Sequence, residues 1–291
     1  MSHSTQTTDS NSNQPGMDLC TTFLGRLRSS AHQSPSPYVK QRYLTRFNVK
    51  CTRLDFNTGN PEDDGPVFLK LPPYDKMNAI AQENDFIRDQ SVPYVEADLK
   101  GSMYEALCVG EALTHKWSGW VPKTMSDGKD MQALSPWDWC WTVGDRLRTN
   151  RFEWATLLVY ELRDKSKLDT MCVLMNSTSF DDMTPFLSEI WCILRYSVCK
   201  VRDHHGHFLE APVTIVSLSG RDARIVQGYI DPGANGLVVR MSHIIHLNQD
   251  KEKNMEGIVQ LARWLFAEPC RESPGHNEEV ELVMRKKARL C

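Results

Sequence analysis

Apolar residues in the C-terminal two thirds of the chain form short runs that predict β-strands. Residues 154–161 and 170–175 are β-rich runs joined by a charged loop, which is typical of an antiparallel pair. Residues 213–218, 223–230 and 237–241 are three further apolar runs. Because short loops rich in glycine and aspartate join these three runs, we expect an antiparallel meander.

Two segments with helical spacing separate and follow these strands. Residues 185–201 carry a wide apolar stripe at spacings of three and four, and we expect Thr184 to cap the helix. Residues 255–265 carry a second stripe, which stops before Pro269. The order ββ-α-βββ-α contains no regular βαβ repeat. It predicts an α+β fold in which an antiparallel or mixed sheet is covered by helices on one face.

Helical spacing also occurs nearer the N-terminus, at residues 74–90 and 98–115. Further along, Ser135 and Pro136 form a pair that is typical of a helix start, because serine caps a helix and proline suits its first position. The sequence therefore predicts a third helix in this half of the chain, ending at about Arg148.

Polar segments mark the ends of the predicted domain. Residues 1–36 are rich in Ser, Thr, Gln, Asn and Pro, a composition that predicts a disordered tail. Residues 57–65 form a polar break dense in turn formers and acids. Residues 269–291 are predicted to be a C-terminal tail. No long linker interrupts residues 37–268, so we expect one α+β domain, with the question of a separate lobe over 37–134 left open.

Composition and charge exclude several classes of protein. Hydrophobic residues make up 41% and charged residues 24%, which excludes collagen-like, wholly disordered and disulfide-scaffold chains. A net charge of −3 does not favour nucleic acid as a partner. No segment approaches the roughly twenty apolar residues that cross a membrane. Nine scattered cysteines and an N-terminus without an apolar signal predict reduced thiols in a cytoplasmic or nuclear protein.

The common nucleotide-binding and hydrolase motifs are absent from the sequence, while tryptophan is concentrated in one region. Six of the eight tryptophans lie between residues 117 and 154, and the densest group is Trp137, Trp139 and Trp141. Aromatic clusters anchor interfaces or line ligand pockets, although tryptophan also fills cores. We therefore hypothesise an intracellular, non-catalytic binding or interaction protein in which these tryptophans contact a partner protein or an apolar ligand.

A first alternative is a metal-dependent hydrolase or nuclease. The hairpin around residues 155–175 carries Glu161, Lys165 and Asp169, and Glu105 on the preceding helical segment supplies a further acid. Such enzymes use two or three carboxylates on a divalent metal and a lysine near the attacking water. The same charges also fit an ordinary polar hairpin turn, so both interpretations stay open.

A possible metal site follows the helix predicted over 185–201. Cys199 near its end is followed by His204, His205 and His207. Thiolate and imidazole are ligands that zinc prefers, which makes these four residues candidate ligands. Their spacing matches no standard zinc pattern, and a solvated, pH-sensitive histidine loop is the other interpretation.

The stretch VTIVSLSGRDARIVQGYIDPGANGLVVRMS and the following IVQLARWLFAEP carry a resemblance. They are similar to a module of uncharacterised intracellular proteins of filamentous fungi, over about residues 150–268. That group has no assigned activity, so the resemblance implies no catalytic or binding residue. It does imply a second alternative function, an accessory protein of fungal small-molecule metabolism.

Overall fold

The structure, a computed structural model, describes residues 21–27, 29, 36–83, 102–116, 136–140, 145–149, 151–164, 167–203, 211–231, 234, 236–248 and 250–270. Its helices are α1 (21–27), α2 (Gln41–Arg46), α3 (Tyr74–Glu83), α4 (Ser102–Glu111, continued by a π-helical turn over Ala112–Lys116), α5 (Leu187–Asp203) and α6 (Lys251–Leu265). Its strands are β1 (Val49–Arg53), β2 (Leu69–Lys70), β3 (Trp137–Cys140), β4 (Arg146–Arg148), β5 (Glu153–Leu162), β6 (Thr170–Asn176), β7 (Val213–Ser219), β8 (Asp222–Asp231), β9 (Gly236–Met241), β10 (Ile245–His246) and β11 (Glu268–Pro269).

Nine of these strands form one mixed sheet. Its order is β1-β9-β8-β7-β6-β5-β3, with β4 paired to β5 and β10 paired to β8. The β1–β9 and β6–β7 pairs are parallel, while β5–β6, β7–β8 and β8–β9 are antiparallel. β2 and β11 form a separate two-stranded sheet. The α+β class and the mixed sheet predicted from the sequence are confirmed.

The predicted antiparallel pair and meander are present in this sheet. β5 and β6 form the pair, and β7, β8 and β9 form the meander. A two-residue turn joins β7 to β8, and its first residue, Gly220, has a φ of +57°. Such left-handed backbone suits tight hairpin turns, because their twist matches that of the strands they join.

Helices cover both faces of the sheet, which corrects the prediction of a single covered face. One face packs against α3, α4 and α6, and the other against α1, α2 and α5. Every residue of the central strands β6 and β7 is buried. A strand buried on both faces has continuous rather than alternating apolar residues, as in the run from Val213 to Leu218. No helix among the described residues combines the length and apolarity needed to cross a bilayer.

The helix predicted from Pro136 to about Arg148 is wrong for the described part of that segment, which forms β3 and β4. Trp137 is buried and Asp138 is exposed, and Leu147 is buried between two exposed arginines. This period of two belongs to a strand whose side chains alternate between core and solvent. Pairing with β5 therefore outweighs the local helix-start signal of Ser135 and Pro136.

The N-terminal segment also differs from the prediction. Residues 21–27, which the composition assigned to a disordered tail, form α1. Phe23 and Leu27 are both fully buried, and the Phe23 ring stacks on Phe47 with centroids 4.1 Å apart. Two apolar side chains four apart are enough to dock one helical turn on the α2 side of the core.

The start of α5 is capped differently from the prediction. The Thr184 hydroxyl donates to the Asp181 carboxylate at 2.8 Å, so it does not cap the helix. Instead, Glu189 reaches back, and its carboxylate accepts the backbone N–H of Phe186 at 2.8 Å. A glutamate three residues into a helix performs this role in a capping box.

Glu189 also forms a fully buried ion pair with Arg224 of β8. Both side chains are 0% exposed, and the guanidinium donates to the two carboxylate oxygens at 3.0 and 2.6 Å. The Arg224 guanidinium also donates to the backbone carbonyls of Asp181, Asp182 and Thr184. The pair therefore fastens the loop before α5 to the centre of the sheet.

Removing the negative charge of this pair should destabilise the protein strongly. Glu189→Gln keeps the side-chain shape but leaves Arg224 buried without a counter-ion, which costs roughly 3–5 kcal/mol. The matched control is Asp182→Asn, because the Arg53–Asp182 pair spans 3.0 Å with both side chains about half exposed. An exposed pair contributes less than about 1 kcal/mol. Urea unfolding measures both losses, and equal losses would contradict this account.

Candidate functional site

A cleft of about 340 Å³ lies at the edge of the sheet, where β1, β9 and β8 run side by side. Lys50 of β1 lies opposite Val238 of β9, and Val238 lies opposite Tyr229 of β8. Two residues further along β8, Asp231 lies opposite Gly236. Alternate residues of a strand point to the same face, so these rows form the floor of the cleft.

The loop before β2 forms the wall of the cleft, and an ion pair holds it in place. Asp63 accepts two hydrogen bonds from the Arg240 guanidinium, at 2.6 and 3.1 Å. The Thr52 hydroxyl and the Gly65 backbone N–H also donate to the Asp63 carboxylate, at 2.7 and 2.9 Å. The Arg240 side chain is fully buried and that of Asp63 is 7% exposed. The ion pair between Asp63 and Arg240 therefore holds the wall against β9.

These contacts change the acidity of Asp63. Burial raises the pKa of the Asp63 carboxyl, but the hydrogen bonds from Arg240, Thr52 and Gly65 and the charge of Arg240 lower it. The lowering contributions win, so the pKa lies below its usual value of 3.8. Asp63 is accordingly a permanent carboxylate near neutral pH, and its charge is matched by that of Arg240.

The start of β9 depends on a close contact with Asn48. Asn48 has a φ of +48°, a left-handed conformation that asparagine tolerates better than most residues. Its side-chain amide donates to the Ala234 carbonyl at 2.8 Å. A Cβ added to Gly236 would collide with the Asn48 carbonyl and lie 2.8 Å from the Asn48 amide nitrogen. Glycine is thus required where the two backbones meet at the cleft.

The ionisable side chains that line the cleft carry more negative than positive charge. Asp63 and Arg240 neutralise each other, Asp64 and Lys50 are exposed, and Asp231 is half-buried. Asp64 and Asp231 together carry two negative charges against the single positive charge of Lys50. These three side chains therefore give the cleft a net charge of −1, and the Asp231 carboxylate already accepts the backbone N–H of Ala234 at 3.1 Å.

The proposed hydrolase residues do not converge on one site in the described residues. Asp169 directly precedes β6, at the same end of the sheet as Glu161, because Glu161 lies opposite Thr170. Glu105 forms an ion pair with Arg221 at 3.6 Å, in the turn between β7 and β8.

That turn lies at the opposite ends of the strands, because β6 and β7 run parallel from Thr170 and Val213 to Asn176 and Ser219. Six residue steps along β6 span about 20 Å, too far for these carboxylates to share one metal. Glu161 is engaged by Lys200 at 2.8 Å. Lys165 lies outside the described residues.

The predicted metal ligands are only partly described. Cys199 is exposed on the last turns of α5, whereas Cys192, about two helical turns earlier, is buried with its sulfur 3.8 Å from the Thr156 hydroxyl. His204, His205 and His207 lie outside the described residues. Within the part of the chain that the structure describes, no group of three or more His, Cys, Asp or Glu side chains is arranged to hold a metal ion.

Three of the described tryptophans are buried in the core, and Trp191 is half-buried. Trp137 is 3% exposed, and its indole N–H donates to the Ala267 carbonyl at 2.9 Å. Trp154 and Trp264 are buried as well. Trp137 therefore has no free surface for a partner in this structure. The Trp139 side chain and Trp141 lie outside the described residues, so their role in partner binding stays a prediction.

The cleft was not predicted, although the sequence contains a signal for it. Arg240 interrupts the otherwise apolar run Leu237–Met241, and Arg224 interrupts residues 223–230 in the same way. A charge inside a buried strand has to be paired, so each arginine predicts an acidic partner brought to the sheet. For Arg240 this partner is Asp63, from the polar break over residues 57–65.

Comparison of the chain with protein-family models, curated proteins and solved structures finds no match. The resemblance to fungal proteins therefore stays a prediction.

Gly65 tests the fit between the wall and Arg240. In Gly65→Ala the new Cβ would collide with the Arg240 guanidinium and lie 2.7 Å from the Asp63 carboxylate, so the ion pair has to shift. We expect a loss of about 1–3 kcal/mol in the free energy of unfolding, as for other overpacked sites.

Gly25→Ala in α1 is the matched control, because its Cβ meets nothing within 4 Å. Alanine in a helix gains up to about 1 kcal/mol over glycine. Thermal unfolding of both variants distinguishes the effects. A Gly65→Ala protein as stable as the Gly25→Ala protein would show that the wall does not press on Arg240.

Proposed function

We propose that the protein is a binding protein, and that its cleft takes a small organic cation bearing amine groups. The observation that carries the proposal is the wall held by Arg240 and Asp63, which also carries the exposed Asp64 carboxylate at the cleft. A volume of about 340 Å³ is at the small end of ligand sites, so the ligand is a small molecule.

Rigidity supports binding at this position. The floor belongs to three hydrogen-bonded strands, and Asp63 is fixed by four hydrogen bonds from three residues. A site that is already formed loses little conformational entropy when a ligand enters it. Because the wall is already ordered, ligand binding does not have to supply the free energy of ordering it.

The chemistry of the ligand follows from the charges. A carboxylate accepts hydrogen bonds from an ammonium group more strongly than from a neutral hydroxyl, because one partner of each bond is then a full cation. Lys50 opposes the cation and limits the affinity. We therefore expect selection of a diamine over the diol of the same length.

Putrescine and 1,4-butanediol are matched probes for this selection. Isothermal titration calorimetry should detect saturable binding of putrescine and none of 1,4-butanediol. Asp64→Asn should weaken putrescine binding about five-fold, the effect of one charge at about 4 Å in a water-like medium. Asp75→Asn, which neutralises another exposed carboxylate, on α3, is the control and should leave the affinity unchanged.

Lys50→Met should act in the opposite direction. Removing the competing cation from the floor is expected to strengthen putrescine binding by a similar factor, measured by the same titration. Failure of putrescine to bind the wild-type protein would refute the proposal. So would identical affinities in the Asp64→Asn and Lys50→Met proteins.

A further inference from the structure

β1 is the last strand at its edge of the sheet, and half of its backbone points away from the sheet. The Asn48 carbonyl accepts from Leu237, and the Leu54 N–H donates to Met241, so even-numbered residues of this segment face β9. Backbone groups of successive strand residues point in opposite directions within the plane of the sheet. The N–H and C=O groups of Val49, Cys51 and Arg53 therefore point outward.

One of these outward positions is already covered. The Arg53 carbonyl accepts the backbone N–H of Glu62, where the following loop folds back along the edge. Among the described residues, no backbone hydrogen bond reaches the outward groups of Val49 and Cys51. These two residues present two donors and two acceptors, which is the pattern to which another strand can be added.

The surface beside this edge is basic, although the whole chain has a net charge of −3. Residues 36–55 contain five cationic side chains and a single acid, Asp55. Lys40, Arg42 and Arg46 are exposed on or next to α2, and Lys50 is exposed on β1. None of these four forms an ion pair with another described residue, whereas Arg53 is paired with Asp182.

From these two features we infer that an extended acidic peptide segment of a partner protein binds here, as an added strand along β1. Its backbone would pair with the outward groups of Val49 and Cys51, and its carboxylates would face Arg42 and Arg46 of α2, on the face opposite to the cleft. Backbone pairing at a sheet edge supplies affinity without sequence selection, while side-chain charges select the partner.

Charge decides between this occupant and a second copy of the chain. Two copies paired through β1 would bring Lys50, Arg46 and Arg42 of both molecules to the same junction. Like charges across a strand pair are destabilising, so charge repulsion opposes pairing of two copies through β1. An acidic strand at the same edge is attracted instead.

Two labelled octapeptides test the proposal on the full-length protein by fluorescence anisotropy. The first alternates glutamate and valine, and the second alternates lysine and valine. We expect the acidic peptide to bind and the basic peptide to bind at least ten-fold more weakly. Methylation of alternate backbone nitrogens in the acidic peptide, on the edge that would pair, should abolish binding without changing its charge.

Variants of the protein locate the site. Arg42→Glu combined with Arg46→Glu should weaken binding of the acidic peptide at least ten-fold. Lys76→Glu on α3 is the control, because it reverses an exposed charge on the other face of the sheet and should have little effect. Circular dichroism verifies that the variants fold. Putrescine binding should survive the double substitution, so this test fails or succeeds separately from that of the cleft.

Three results would overturn the inference. The first is that the acidic peptide does not bind. The second is that the methylated peptide binds as well as the unmethylated one, which would show that charge alone attracts the peptide. Equal binding of a polythymidine oligonucleotide would also contradict it, because a nucleic acid offers no strand backbone to pair with β1.

Discussion

A guanidinium group buried in an apolar sheet has to meet a counter-charge and acceptors for its N–H groups, and this requirement shapes both sides of the molecule. Arg224 and Arg240 lie on the neighbouring strands β8 and β9 and project to opposite faces. Arg224 draws Glu189 and the loop before α5 onto one face, and Arg240 draws Asp63 onto the other. Each pair converts a polar loop into a fixed part of the core, because leaving either charge unpaired would cost several kcal/mol.

The functional proposals depend on the second of these pairs. With Asp63 held against Arg240, the loop before β2 forms a wall, and we propose that the Asp64 carboxylate on this wall attracts a cation. Around the same sheet edge, α2 presents Arg42 and Arg46, which attract acids. Two surfaces of opposite sign thus lie at one end of the sheet. Lys50 and the cleft lie on one face of this edge, and α2 lies on the other face.

The sequence predicts the parts of the fold whose signal is periodic and local. The run Val213–Leu218 and the stripe of α5 identify a buried strand and its covering helix, and the glycine at 220 identifies a turn. The sequence fails where partners distant along the chain decide the outcome. Trp137 lies in a strand because β5 pairs with it, and α1 is ordered because Phe23 meets Phe47. The cleft was missed for the same reason, since Asp63 and Arg240 are 177 residues apart.

The pKa of Asp63 tests the central interaction most directly. A carboxylate whose pKa is depressed by folding contributes stability above its unfolded-state pKa, and this contribution is lost as the pH falls through the folded-state pKa. Carbon-detected NMR titration of the Asp63 carboxyl should give a pKa below the usual 3.8 in the wild-type protein and a raised value in Arg240→Met. A wild-type carboxyl that titrates at or above 3.8, or one that does not respond to loss of Arg240, would contradict the account.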